Sequence, residues 1–250
     1  MKPKLTSRPP AFVSRSRETG TDYPIYIDAP ETGTRRGPLT GVVFMDGDFV
    51  FDMAVSAARE LQAAGKIPAT AIIAVGYGAS FGQPGNLRGR DYTPTASADE
   101  PGSGGADPFV DYLTGQLWPE LEERLRLDAS RRIIAGHSLG SLLVLHAFFQ
   151  AKPFFQGALA SAPSIWWDNR SVLGLIARLR RRRRSLPGHL YLGVGLEETP
   201  SMTGDLSLLE RQLQEQPFDG LRITTERLPG LDHYSSLPAS LRAGLASLLG

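Results

Sequence analysis

No cysteine occurs among the 250 residues. That absence excludes disulfides, thiolate metal sites and a cysteine nucleophile, and nothing here requires an oxidising compartment. Net charge is nearly absent too: 27 Lys and Arg stand against 26 Asp and Glu, leaving +1. With both signs scattered along the chain, no global field points to nucleic acid or an anionic membrane as the main partner. The local exception is "RLRRRRR" over 178–184, which suits solvent and the negative end of a helix dipole. No window approaches the roughly 18 apolar residues of a membrane span, and the start, "MKPKLTSRPPAF", lacks the apolar stretch of a signal peptide. The expectation is a cytoplasmic protein without a membrane partner. No internal repeat is visible, and "GSGG" lacks the Lys-Ser/Thr that completes a phosphate loop.

A hydrophobic content of 41% over this length can bury one large core. Residues 1–20, rich in Pro, Ser, Thr and Arg, read as a loose arm, and 21–250 as a single domain. Short apolar runs then alternate with longer amphipathic ones. "YPIYI", "GVVFMDGD", "TAIIAVGYG", "RRIIAG", "GALASAPS", "HLYLGVG" and "LRITTERL" read as strands. "DMAVSAARELQAAG", "DPFVDYLTGQLWPELEERL" and "LLVLHAFFQA" read as helices, with others near 171–184, 205–216 and 238–249. The strand runs are continuously apolar, as when helices cover both faces of a sheet. Strand alternating with helix predicts an α/β fold with a mostly parallel, doubly wound sheet. The stretch 79–107 is too long and too polar for a simple connection, and loops of that length are commonly functional.

The sharpest motif is "GHSLG", Gly136 to Gly140, between a buried strand and an apolar helix. A tight strand-to-helix turn leaves no room for side chains at its flanks, hence the two glycines, and it lifts the Ser138 hydroxyl above the carboxyl end of the sheet. The Leu139 amide then points at whatever the serine attacks, as half of an oxyanion hole. The plainer reading is a glycine turn whose serine caps the helix. Of the four histidines, His137 sits inside the turn, His146 lies in a buried helix and His189 starts a strand. His233, in a late loop after a strand, is the candidate base. The acid is expected after "HLYLGVG", where Glu198 is favoured over Glu197, since neighbours on an extended chain face opposite ways. A second oxyanion amide is expected from "DGD", at Asp48, with Gly47 second.

With these pieces placed, the chain resembles the putative-esterase family of α/β hydrolases, most of all its siderophore trilactone esterases, which act on enterobactin-like and bacillibactin-like molecules. The resemblance rests on "VVFMDGDFVFD", "AIIAVGY", "RGRDYTPT", "RRIIAGHSLGSLLVLHAFF", "ASAPSIWWD", "LGVGLEE" and "PGLDHYS", in family order over about 200 residues. It implies the α/β-hydrolase fold without a separate lid domain, Ser138 as nucleophile and His233 as base, with no metal or organic cofactor. Ser141, Asp48 and Asp232 depart from the family pattern, and the two acids would add negative charge near the mouth. A ferric tri-catecholate ester wants cationic and planar groups, which Arg88, Arg90, Tyr92 and one of Trp166 and Trp167 could supply. The substrate is then a small-molecule ester. A general carboxylesterase, an acyltransferase and a non-catalytic binding protein on the same fold remain open alternatives.

Overall fold

A computed structural model describes residues 5–30 and 37–250. The strands are β1 (Phe12–Arg15), β2 (Asp22–Asp28), β3 (Leu39–Phe44), β4 (Thr70–Val75), β5 (Leu127–His137), β6 (Gly157–Ser161), β7 (Ser185–Gly195) and β8 (Asp219–Leu228). The helices are α1 (Gly47–Ala63), α2 (Arg88–Asp91), α3 (Ala106–Tyr112), α4 (Trp118–Leu125), α5 (Leu139–Phe148), α6 (Trp167–Arg182), α7 (Pro200–Glu215) and α8 (Ser236–Leu249). A π-helical turn, Leu113–Leu117, interrupts the helix expected over 107–125. Pro119 follows it, and a proline inside a helix removes one backbone donor and crowds the carbonyl four residues back.

All eight strands form one sheet, in the order β1-β2-β4-β3-β5-β6-β7-β8. Pairing is parallel from β4 through β3 to β8, and antiparallel where β2 meets β4 and β1 meets β2. One expectation needs correction here: the loose arm contains β1, whose residues 12–15 pair with Asp22–Ile25. A polar segment can hold such an edge position because only one side of it must be paired. Residues 1–4 of the arm lie outside the described residues.

The continuously apolar strands are explained by the two faces. On β3, Val42 and Phe44 face α1 and α8, while Val43 and Met45, just beyond its end, join the cluster of α3 to α7. Ile72 and Ala74 of β4 take the first face, and Ala71, Ile73 and Val75 the second. A strand covered on both sides has no solvent face to keep polar. Because the chain leaves β3 for β4 on one side and returns to β5 on the other, the crevice between the carboxyl ends of β3 and β5 is the topological switch point, where open α/β sheets place their ligands.

Helix α8 reaches the sheet through Gly244, where an added Cβ would lie 2.5 Å from Leu159 Cδ1. Gly244→Val is expected to lower stability by roughly 1–3 kcal/mol through overpacking, measured by urea unfolding; an unchanged midpoint would show that Leu159 can repack.

Candidate active site

The turn after β5 carries Ser138 at φ 58°, ψ −123°, a conformation that costs a non-glycine residue about 1–3 kcal/mol. Hydrogen bonds on both sides of the turn hold it there. The Ser138 amide donates to the Ser161 carbonyl at 2.9 Å, and its carbonyl accepts from the Ser141 and Leu142 amides at 3.0 and 3.2 Å. The Ser141 hydroxyl lies 2.7 Å from both the Gly136 and Ser161 carbonyls, so it ties the turn to β6. The flanking glycines are required by space. A Cβ on Gly136 would sit 2.5 Å from the Gly140 carbonyl, and one on Gly140 would meet Met45 Cβ at 3.1 Å. Leu139 supplies the first amide of α5, one that a helix leaves without an internal acceptor.

His233 follows β8, and its Nδ1 lies 2.7 Å from Glu198 Oε1. The Glu198 side chain is only 3% exposed, whereas Glu197 faces solvent. Gly195 permits this arrangement: a Cβ there would stand 2.2 Å from the Leu231 carbonyl, which also accepts from the Glu197 amide at 3.0 Å. The loops after β7 and β8 are thus clamped together with the carboxylate against the imidazole. With Nδ1 engaged, Nε2 is the nitrogen left to take a proton. Ser138 and His233 open into one cavity of about 70 Å³, and Ser138 Oγ lies 3.4 Å from Ser164 Oγ.

His137, inside the turn, lines the same cavity. Its Nδ1 lies 3.0 Å from Ser161 Oγ and its ring centroid 4.6 Å from that of His233. Burial, then the charges of His233 and Arg88, pull it from its ordinary 6.5 down to about 3. His146 and His189 hold structural contacts, to Asp107 at 2.7 Å and Thr224 at 2.9 Å.

The "DGD" segment divides differently from the expectation. Gly47 and Asp48 open α1, whose Phe49 and Val50 amides already donate to the Asp46 carbonyl. Their own amides remain the candidates for the second oxyanion donor. The Asp48 side chain, however, is turned into the protein, where it accepts from Tyr26 Oη at 2.7 Å and the Tyr77 amide at 2.6 Å. It adds no charge to the mouth. Asp46 lines the cavity, with left-handed φ 56° and its carboxylate held by Arg88 Nε and Nη2, both at 2.9 Å. Asp232 is occupied in a turn: its Oδ1 accepts from the Ser235 amide and hydroxyl at 2.8 and 2.7 Å, and the Ser235 contacts hold its carboxyl below the ordinary range.

The expected binding residues separate. Arg88 lines the cavity and lies over the Phe81 ring at 4.4 Å, but its charge is spent on Asp46. Arg90 is a correction: its guanidinium holds Asp91 at 2.7 Å and Thr21 Oγ1 at 2.9 Å, pinning the long loop. Tyr92 is another, since it is fully buried and its hydroxyl accepts from the Asp46 amide at 2.9 Å. Trp167 is buried, donating to the Thr95 carbonyl at 3.1 Å, whereas Trp166 is 46% exposed. Sequence reasoning missed Asp46, Phe49, Phe81 and Tyr234 as lining residues. Position after a strand was the available signal for each of them.

Two outcomes follow from this geometry. Ser138→Gly should abolish any serine chemistry yet raise stability by about 1 kcal/mol, because glycine tolerates the strained backbone; a fall in the unfolding midpoint would contradict it. The folded pKa of His137 lies below its unfolded value, so the unfolded chain binds the extra proton. Stability is therefore complete above the ordinary 6.5 and declines as pH falls toward about 3. His137→Gln should flatten that decline in acid-unfolding curves, and an unaltered slope would assign the acid sensitivity elsewhere.

A family model described as "Putative esterase" matches residues 16–226. The siderophore triacetylfusarinine C esterase of Aspergillus fumigatus is 36% identical over 155 residues, covering 60% of this chain and 52% of the relative; the match thus spans about half of that protein's length. The ferri-bacillibactin esterase BesA of Bacillus subtilis is 28% identical, covering 92% of this chain and 86% of its own. Among solved structures, the BES protein from Bacillus cereus superposes with a TM-score of 0.84 at 28% identity, covering 100% of this chain and 98% of that one. With its sheet order, its strained serine turn and a family match over most of its length, the chain belongs to the putative esterase family of α/β hydrolases.

Proposed function

We propose that this chain is a serine esterase that opens ester bonds of a ferric siderophore through an acyl-enzyme. The observation that carries the reading is that a strained Ser138 and a His233 already paired with Glu198 at 2.7 Å open into one cavity. His233 Nε2 takes the Ser138 proton as Oγ attacks the ester carbonyl, and Glu198 holds the ring and stabilises its protonated form without itself accepting the proton. The Leu139 amide and that of Asp48 or Gly47 receive the oxyanion. His233 then protonates the leaving alkoxide, and a water repeats the cycle on the acyl-enzyme. No metal or organic cofactor enters these steps, and iron belongs to the substrate. The siderophore assignment draws support from the relatives named as esterases of triacetylfusarinine C and ferri-bacillibactin. The lack of cysteine suits a cytoplasmic setting. Among the described residues no helix is long and apolar enough to cross a membrane.

Chromatography of ferric siderophore esters incubated with the protein, with Ser138→Ala as the blank, tests the proposal. Ser138-dependent ring opening is the expected result. Glu198→Gln should lower kcat by about 10²–10⁴-fold with the fold retained. Turnover of simple aryl esters without opening of any siderophore would leave a general esterase.

A further inference from the structure

The arginine run before β7 takes no part in the candidate site and lies at the other end of the molecule. Helix α6 starts in the loop after β6, at the carboxyl end of the sheet, and ends at Arg182; β7 then runs from Ser185 back up to Gly195, just before Glu198. Its 11 residues span roughly 35 Å, which separates the run from the Ser138 cavity. Arg180 is fixed to the protein, its Nε donating to the Pro217 carbonyl at 2.7 Å. Arg178, Arg181, Arg182 and Arg184 are exposed and Arg183 is half-buried. None of these five has a described carboxylate within 4.0 Å. The acids on the neighbouring elements are Glu215, at the end of α7, and Asp219, opposite Ser185. These two and the half charge at a helix end leave five guanidinium groups with a positive surplus.

The rest of the chain decides what kind of anion this surplus suits. Without these five arginines, 22 Lys and Arg stand against 26 Asp and Glu, so the remaining surface is net negative. A nucleic acid that tracks across a protein needs a basic face along its path and would meet that negative remainder. A planar surface touches only the patch, because salt screens charges beyond roughly 8–10 Å. Single-stranded nucleic acid is also commonly held by stacking on aromatic rings. The exposed aromatic side chains among the described residues, Phe81, Trp166 and Tyr234, all lie on loops at the carboxyl end of the sheet. Helix α6 buries Val172, Ile176 and Leu179 in the core, so it has no apolar face to insert, and contact through its end is electrostatic. Guanidinium groups match phosphate oxygens in pairs, and clusters of four to eight basic residues bind anionic lipid headgroups.

We infer that the arginine cluster at the end of α6 docks this protein on the surface of an anionic lipid bilayer, with the Ser138 cavity turned away from the lipid. Net charge argued against a membrane partner; the local concentration of unpaired guanidinium groups argues for one. The inference is independent of the esterase reading, since docking uses the amino end of the sheet and any chemistry at Ser138 the carboxyl end.

The test mixes the full chain with vesicles of phosphatidylcholine alone, or with vesicles in which a third of the lipid is phosphatidylglycerol, and reads the bound fraction by sedimentation. Binding to the anionic vesicles at low salt, fading as salt rises, with none to the neutral vesicles, is the expected result. The combined substitutions Arg181→Gln, Arg182→Gln, Arg183→Gln and Arg184→Gln should weaken it by about a hundredfold or more, with the unfolding midpoint and any Ser138-dependent ester turnover unchanged. Arg182→Glu with Arg184→Glu, both at exposed positions, reverses as much charge as the fourfold variant removes and should weaken binding as strongly, which keeps the test decisive if one variant folds poorly. No binding of the unaltered protein to anionic vesicles, equal binding to neutral ones, or folded variants that bind as the unaltered protein does would each overturn the inference. Arginine-dependent capture of a single-stranded RNA homopolymer without vesicle binding would also overturn it and assign the cluster to nucleic acid.

Discussion

The backbone at Ser138 has no local reason to adopt φ 58° and ψ −123°; the pairing of β5 with β6 imposes it. The strand pair runs in register up to His137 and Ser161, and the next amide, that of Ser138, still donates to Ser161. The chain must then reverse into α5 within a single residue. Ser141 reinforces the constraint from below with a hydroxyl lying against both strands' carbonyls. Strain of this kind persists only where the surroundings over-determine it. Here they do so by parallel pairing, two space-limited glycines and a helix that packs at once into the core. The upward-facing hydroxyl, the free Leu139 amide and the position beside β3 all descend from that one turn.

Around the turn, charges are compensated in pairs that leave little for solvent. Arg88 grips Asp46 through two parallel hydrogen bonds, the planar geometry that guanidinium favours. Asp91, fully buried, gathers Arg90, Tyr23 and Tyr77. Asp48 gathers Tyr26 and two loop amides. Buried carboxylates need such saturation, since an unpaired one would cost several kcal/mol. These networks fix the long loop between β4 and α3, with Tyr77 and Tyr92 buried and Phe81 lining the cavity. The hold on this loop thus has one origin: acids drawn inward, each bringing its donors with it.

Much of this was legible. Gly136 and Gly140 state their reason in the chain itself, because only a turn with no room for side chains needs both. The doubly covered strands are equally plain in "VVF" and "AIIAV", where no solvent face survives. "RGRDYT" was legible as a functional loop but not residue by residue. Arg88 faces the cavity and Tyr92, one turn on and on the same side, is core against its guanidinium, while Arg90 lies on the other side of α2 and pins the loop. The exchange of roles between Asp46 and Asp48 has the same cause: α1 starts earlier than its amphipathic pattern suggests, so two residues expected on a turn lie in a first helical turn, pointing inward.

The sequence by itself determined the fold class, the serine turn and the histidine after the last strand, because local spacing and apolar periodicity dictate where strands end and loops begin. Only the tertiary structure decided which carboxylate meets the histidine. Glu197 and Glu198 are adjacent and chemically alike, and the choice falls to Glu198 because Gly195 lets the Leu231 carbonyl approach and clamp the two loops. It also decided that the arginines near the mouth are already paired. Charge compensation is a matter of distances between loops far apart in the chain, and no spacing within one segment encodes it.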